Sequence, residues 1–215
     1  MEEDELVKDI PWWKGPIKYI LGMFLILMLV LWLVPYYSVK LDPSPNVIPK
    51  LEDVVPQDVV VNESHATEIS INMVNGRDPV VKEVADKIVV RACKKEGKIC
   101  HAKALFYFVR DNFEYISDPT AYEYVKTAKE SLVNGGGDCD DSSVLLASLL
   151  DAIGVRIRFV FVPNHVYVQA YLPETLKRYK VDGDMVNLDP ACKSCDFGEV
   201  SWKTFNEEGR VMGQD

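Results

Sequence analysis

Between Asn134 and Leu146 the chain reads Asn-Gly-Gly-Gly-Asp-Cys-Asp-Asp-Ser-Ser-Val-Leu-Leu, and this stretch limits the possible folds more than any other. Three glycines resist regular structure, yet a helical pattern follows at once. Leu145, Leu149 and Ile153 recur four residues apart, with Leu146 and Leu150 beside them. The spacing predicts a helix from about Asp140 to Ile153, with Asp138 as its N-cap. Cys139 then stands in the first turn, facing unpaired backbone N–H groups and the positive end of the helix dipole. Both favour thiolate over thiol, so the position predicts a lowered pKa and a nucleophilic sulfur. The glycines are expected to leave the space over that sulfur open. The competing reading is a small residue filling a helix start beneath a flexible loop.

Two later stretches decide between them. Asn164-His165-Val166-Tyr167-Val168 carries the one histidine after Cys139, in an alternating, strand-like run. Asn187-Leu188-Asp189-Pro190 places an acid at the end of another apolar segment. Cys139, His165 and Asp189 make up a set that can deprotonate a thiol, orient the imidazole and balance its charge.

Gly-Gly-Asp-Cys-Asp-Asp opening a helix, a strand with His165, and then Leu-Asp-Pro together resemble the core of the transglutaminase-like superfamily. The likeness runs from roughly Asp78 to Gly198 and is greatest to archaeal and bacterial members. It implies a papain-like α+β fold in which the nucleophile helix packs on an antiparallel sheet. It also implies Cys139 as nucleophile, His165 as base and Asp189 as orienter, acting on amide bonds of peptides or proteins. Hydrolysis is the default outcome, and transfer to an amine is the other. A catalytically inactive peptide-binding domain of the same fold is the alternative function. No cofactor for catalysis is expected.

Residues 17–34 contain a single charge, Lys18, and with Tyr36 and Tyr37 approach the length that spans a bilayer. Trp12, Trp13, Tyr36 and Tyr37 bracket the block as interfacial aromatics. A membrane-spanning helix is expected over residues 17–37, after a polar segment, 1–16. Lys8, Lys14 and Lys18 before the helix, against Lys40 and Lys50 after it, favour a cytoplasmic N-terminus. The expectation is therefore a single-pass protein of the cell membrane with its catalytic domain outside the cytoplasm. Asn62-Glu63-Ser64 is a glycosylation sequon compatible with that side.

Five prolines between 35 and 56 suggest a stiff spacer, and residues 38–77 are read as spacer and arm. His65 lies there and is read as a surface histidine. The transglutaminase-like domain is placed at 78–200 and a tail at 201–215. Val81, Val84, Ala85, Ile88 and Val89 mark one helix face; a second helix covers about His101 to Asp111. Asp118–Asn134 reads as a long loop holding Tyr122 and Tyr124. Arg156–Pro163, His165–Leu172, Arg178–Val181 and Met185–Leu188 read as strands.

Of the five cysteines, Cys93 and Cys100 flank the turn between the first two domain helices, and Cys192 and Cys195 form a C-x-x-C pair after Asp189. If the pairs converge, the four either hold one structural zinc or form disulfides; unrelated free thiols are the third possibility. A net charge of −9 argues against nucleic acid as a partner, since that affinity rests on clustered Lys and Arg. The expected partners are a peptide or protein substrate and the membrane.

Overall fold

The structure, a computed structural model, describes residues 15–38, 42–61, 66–94, 97–119, 124–204 and 207–213. Trp12, Trp13, Lys8, Lys14, Lys40, the Asn62 sequon, His65 and Tyr122 lie outside the described residues. The chain divides into two units, Met1–Leu41 and Asp42–Asp215. The first contains helix α1, Ile17–Ser38. Its stretch Ile17–Val34 is long and apolar enough to cross a membrane and is not buried by protein.

The second unit is a mixed helix-and-sheet domain. Its chain first forms a short helix, α2 (Leu51–Val54). Asn112 holds this segment in place, accepting from the Leu51 N–H at 3.2 Å and donating to the Pro49 carbonyl at 3.2 Å. The proline-rich stretch read as a spacer thus lies against the domain from Asp42 onward. There Asp42 pairs with the buried ammonium of Lys103 and, at 2.7 Å, with Arg178.

Helix α3, Pro79–Ala92, begins where the sequence supplies a stop-and-start signal. Asp78 Oδ1 accepts from the Val80 and Val81 N–H groups, and Pro79 gives up no hydrogen bond in the first turn. Helix α4, Lys98–Asn112, follows, then the two-residue strand β1, Glu114–Tyr115. Helix α5, Ala128–Asn134, corrects the expected loop over Asp118–Asn134. Thr127 caps it by accepting from the Glu130 N–H, and Gly135 ends it in the left-handed conformation, at φ 68°. Strand β2, Gly136–Gly137, pairs in parallel with β1, Tyr115 opposite Gly137.

Helix α6, Cys139–Ala152, runs through the centre, and every residue from Val144 to Leu150 is fully buried. Four strands cover it: β3 (Ile157–Val162), β4 (His165–Tyr171), β5 (Met185–Leu188) and β6 (Arg210–Gly213). They form one antiparallel sheet in the order β5-β4-β3-β6. Alternation sorts the side chains: Ile157, Phe159, Val166, Val168 and Ala170 join the main core with α6. Val160, Val162 and Tyr167 pack on the other face, beside Val200.

Two expectations fail here. Arg178–Val181 is not a strand: Lys177–Tyr179 is a 3-10 turn, and only Lys180 bridges to Val186. Residues 210–213, expected in a tail, are one of the sheet's two edge strands, because their backbone pairs with Arg158–Phe161.

Candidate active site

The site is assembled where the start of α6 meets the starts and ends of β4 and β5. Asp138 caps α6 as expected, its Oδ1 accepting from the Asp140 N–H at 3.0 Å and the Asp141 N–H at 3.3 Å. Asp141 completes the capping box and is wholly buried; it accepts from the Lys126 N–H at 2.7 Å and pairs with the Lys126 ammonium. The glycines before Cys139 do not form an open flap. Gly136 and Gly137 are buried, and a Cβ on Gly137 would lie 2.2 Å from Asp141 Oδ2. Glycine is required here because a carboxylate occupies the place a side chain would take.

The thiol of Cys139 is partly buried and lies 3.3 Å from Asp140 Oδ1. Burial, then the charges of Asp140 and Asp138, push its pKa up to about 12, against the pull of the Val166 N–H. The expected low pKa is thus corrected: the helix start is also a cluster of carboxylates, and their repulsion of a thiolate adds to the cost of desolvation. Asp138 is affected in turn; burial and the neighbouring Asp140 and Asp141 push it up to about 6.

The Pro163–Asn164 turn between β3 and β4, with Asn164 at φ 56°, makes His165 the first residue of its strand. His165 Nε2 lies 2.9 Å from Asp189 Oδ2. Asp189 is fully buried at the exit of β5, and its carboxylate also accepts from the Ser201 N–H and the Cys192 N–H, each at 3.2 Å. The Val166 N–H that faces the Cys139 sulfur belongs to the residue after His165. Ser143 Oγ donates to the Val166 carbonyl at 3.2 Å, tying α6 to this same peptide. His165 and Asp189 are thus hydrogen-bonded to each other, and the residue after His165 presents its N–H to the Cys139 sulfur.

Tyr115 escaped the sequence reading. Its strand pairing sets it beside Gly137, and burial, with Cys139, Asp138 and Asp140 nearby, holds its phenol above the ordinary value. The short run Phe113-Glu114-Tyr115-Ile116 was the available signal. Ser201 could not have been found, because it contributes only its backbone N–H.

The four remaining cysteines form two local disulfides, Cys93–Cys100 and Cys192–Cys195. They do not converge. Cys100 lies in the first turn of α4 and Cys195 contacts Arg110 near its last, at 2.8 Å; ten helical residues span about 15 Å. A zinc shared by Cys93, Cys100, Cys192 and Cys195 is therefore ruled out in this arrangement, since disulfide sulfurs have no thiolate to offer. Asp189 lies with Cys192 and Cys195, and Asp138 with Cys139 and Asp140, each set having its ligand atoms within 4.8 Å of one another. In the first set the sulfurs are bridged; in the second the thiol is held neutral.

A family model described as the transglutaminase-like superfamily matches residues 82–189, half of the chain. The chain belongs to the transglutaminase-like superfamily. The match runs from Lys82, in the first turn of α3, through Asp189, and so contains Cys139, His165 and Asp189. Among solved structures, Legionella pneumophila LapG is similar to this transglutaminase-like chain at 16% identity and a TM-score of 0.43, over 75% of this chain and 82% of that one. Its calcium-bound form aligns at 21% identity and a TM-score of 0.40, over 61% and 74%. A provisionally assigned cysteine protease from Cytophaga hutchinsonii aligns at 16% identity and a TM-score of 0.37, over 69% and 55%. No curated protein gives a significant match.

Proposed function

We propose that this transglutaminase-like protein is a thiol acyl-transfer enzyme that acts on peptide or protein amides, with water as the usual acceptor. One observation carries the reading: the Cys139 sulfur faces the Val166 N–H while the adjacent His165 is hydrogen-bonded to the buried Asp189. Asp189 engages Nε2, which leaves Nδ1 of His165 to take the thiol proton. A thiol with a pKa near 12 does not ionise by itself at neutral pH, so deprotonation accompanies attack on the amide carbonyl. The tetrahedral oxyanion is met by the Cys139 N–H, the first donor of α6. His165 then returns its proton to the leaving amine, a thioester remains, and water activated by His165 hydrolyses it. The raised thiol pKa equally suits a second reading, a peptide-binding domain of the same fold without turnover.

Iodoacetamide separates the two. Wild-type Cys139 should alkylate at pH 7 about 10²-fold or more faster than Cys139 in His165→Ala, the range of general-base assistance, and Cys139→Ala should abolish peptide-amide cleavage. Equal alkylation of wild type and His165→Ala would establish the binding reading instead.

The protein is further proposed to be anchored by residues 17–37, with the domain outside the cytoplasm. Twenty-two helical residues in α1 extend about 33 Å, enough for a hydrocarbon core. Two disulfides suit an oxidising compartment. The full chain should stay in the membrane pellet after alkaline extraction, and the domain should be digested by protease added to intact cells. Release by alkali would remove the anchor; protection from protease would reverse the orientation.

A further inference from the structure

The loop leaving β5 is held from both sides. Three donors converge on the buried Asp189 carboxylate: His165 Nε2 and the Ser201 N–H on Oδ2, and the Cys192 N–H on Oδ1. The third belongs to a half-cystine. The Cys192 N–H also reaches the Asp189 carbonyl at 3.3 Å, and the Cys195 N–H donates to the Cys192 carbonyl at 3.1 Å. Residues 189–195 thus make two successive turns, the second closed by the Cys192–Cys195 bridge. From outside, Arg110 Nη1 holds the Cys195 carbonyl at 2.8 Å, and the Lys193 ammonium donates to the carbonyls of Arg110 and Phe113 at the end of α4. A bridge across three sequence positions closes too short a loop to contribute much through chain entropy. Its effect is local, on the direction of one N–H.

We infer that the Cys192–Cys195 disulfide is a positioning element for Asp189, and through it for His165. With the bridge closed, the Cys192 N–H holds Oδ1, and this turns Oδ2 toward His165 Nε2. The inference rests on the proposed roles of Cys139, His165 and Asp189. Reduction by a dithiol breaks the S–S bond, adds two electrons and two protons to give two thiols, and oxidises the reductant to its own disulfide. The second turn is then free to open, Asp189 loses its donor on Oδ1, and the imidazolium loses its fixed counter-charge. Cys192 is half-buried and Lys193 and Ser194 are exposed, so a small reductant can reach the bridge. This is a thiol enzyme that reduction should weaken, although its nucleophile needs no oxidant.

The test uses the full chain in detergent, as wild type, Cys192→Ser/Cys195→Ser, Cys93→Ser/Cys100→Ser and His165→Ala. In each oxidised protein Cys139 is the one free thiol, and its iodoacetamide alkylation is followed against pH. The Cys192→Ser/Cys195→Ser rate should fall about 10²-fold at neutral pH, the scale of a 1 Å misplacement. Adding the same two serines to His165→Ala should lower the rate no further, because the bridge acts through that imidazole. Cys93→Ser/Cys100→Ser should match wild type. Treating that variant with dithiothreitol should reproduce the loss of rate, read by mass spectrometry on the Cys139 peptide, and reoxidation should restore the rate. This reversible arm is run below the melting temperature and covers the case in which the serine variant fails to fold. A wild-type rate in both arms would overturn the inference. If His165→Ala alkylates like wild type, the underlying functional reading fails first.

Discussion

Two buried carboxylates sit close to the site, and they are used in opposite ways. At the start of α6, Asp141 gives its oxygens to the Lys126 N–H and ammonium and to the Asp138 N–H, all fixed donors. At the exit of β5, Asp189 gives one oxygen to backbone N–H and the other partly to His165, a group that changes charge. Both have 0% exposure, so burial does not separate the framework acid from the acid proposed to function. The partner does. A carboxylate bonded to backbone N–H groups and an ammonium builds the frame; one bonded to an imidazole can follow a proton.

The pair can be pulled apart by substitution. Under the proposed roles, Asp189→Asn should cost the largest effect, about 10⁴-fold in kcat, as when the acid of an established triad is neutralised, read on whichever peptide amide is cleaved. Asp141→Ala should instead strike the frame: removing one partner of a buried ion pair costs about 3–5 kcal/mol, read by urea unfolding. If Asp141→Ala left stability intact and removed activity, the division of roles would be reversed.

The smallest effect concerns Asp138, whose folded pKa of about 6 stands above its ordinary 3.8. Between those values the unfolded chain gives up this proton before the folded one. Stability should therefore fall as pH rises through the window, by about 3 kcal/mol at most. Asp138→Asn keeps a capping oxygen and should flatten that slope in melting temperature against pH. An unchanged slope would assign it to other groups.

Much of this was legible in the sequence, for physical reasons that are easy to name. Leu145, Leu149 and Ile153 declare α6 by period, Asp138 declares its start, and the alternation around His165 declares β4. What stayed hidden depended on tertiary contacts or on short elements. Helix α5 has seven residues, too few for a period to emerge, although Thr127 and Glu130 were a readable cap. Strand β6 exists because β3 offers it an edge, and nothing in Arg210–Gly213 alone says so. The thiol pKa went the other way because a helix start argues for thiolate only until neighbouring carboxylates and burial are counted. The cysteine pairs were visible, but that each closes on itself at an opposite end of α4 was not.

Gly137 has a consequence for how this sequence can drift. Any base change that alters its codon's meaning adds at least a Cβ, and the nearest atom that carbon would meet is an oxygen of Asp141, 2.2 Å away. A substitution at 137 therefore displaces Asp141 from the cap and from Lys126. The two positions are coupled, and a side chain at 137 becomes tolerable only once the Asp141 carboxylate has moved or gone.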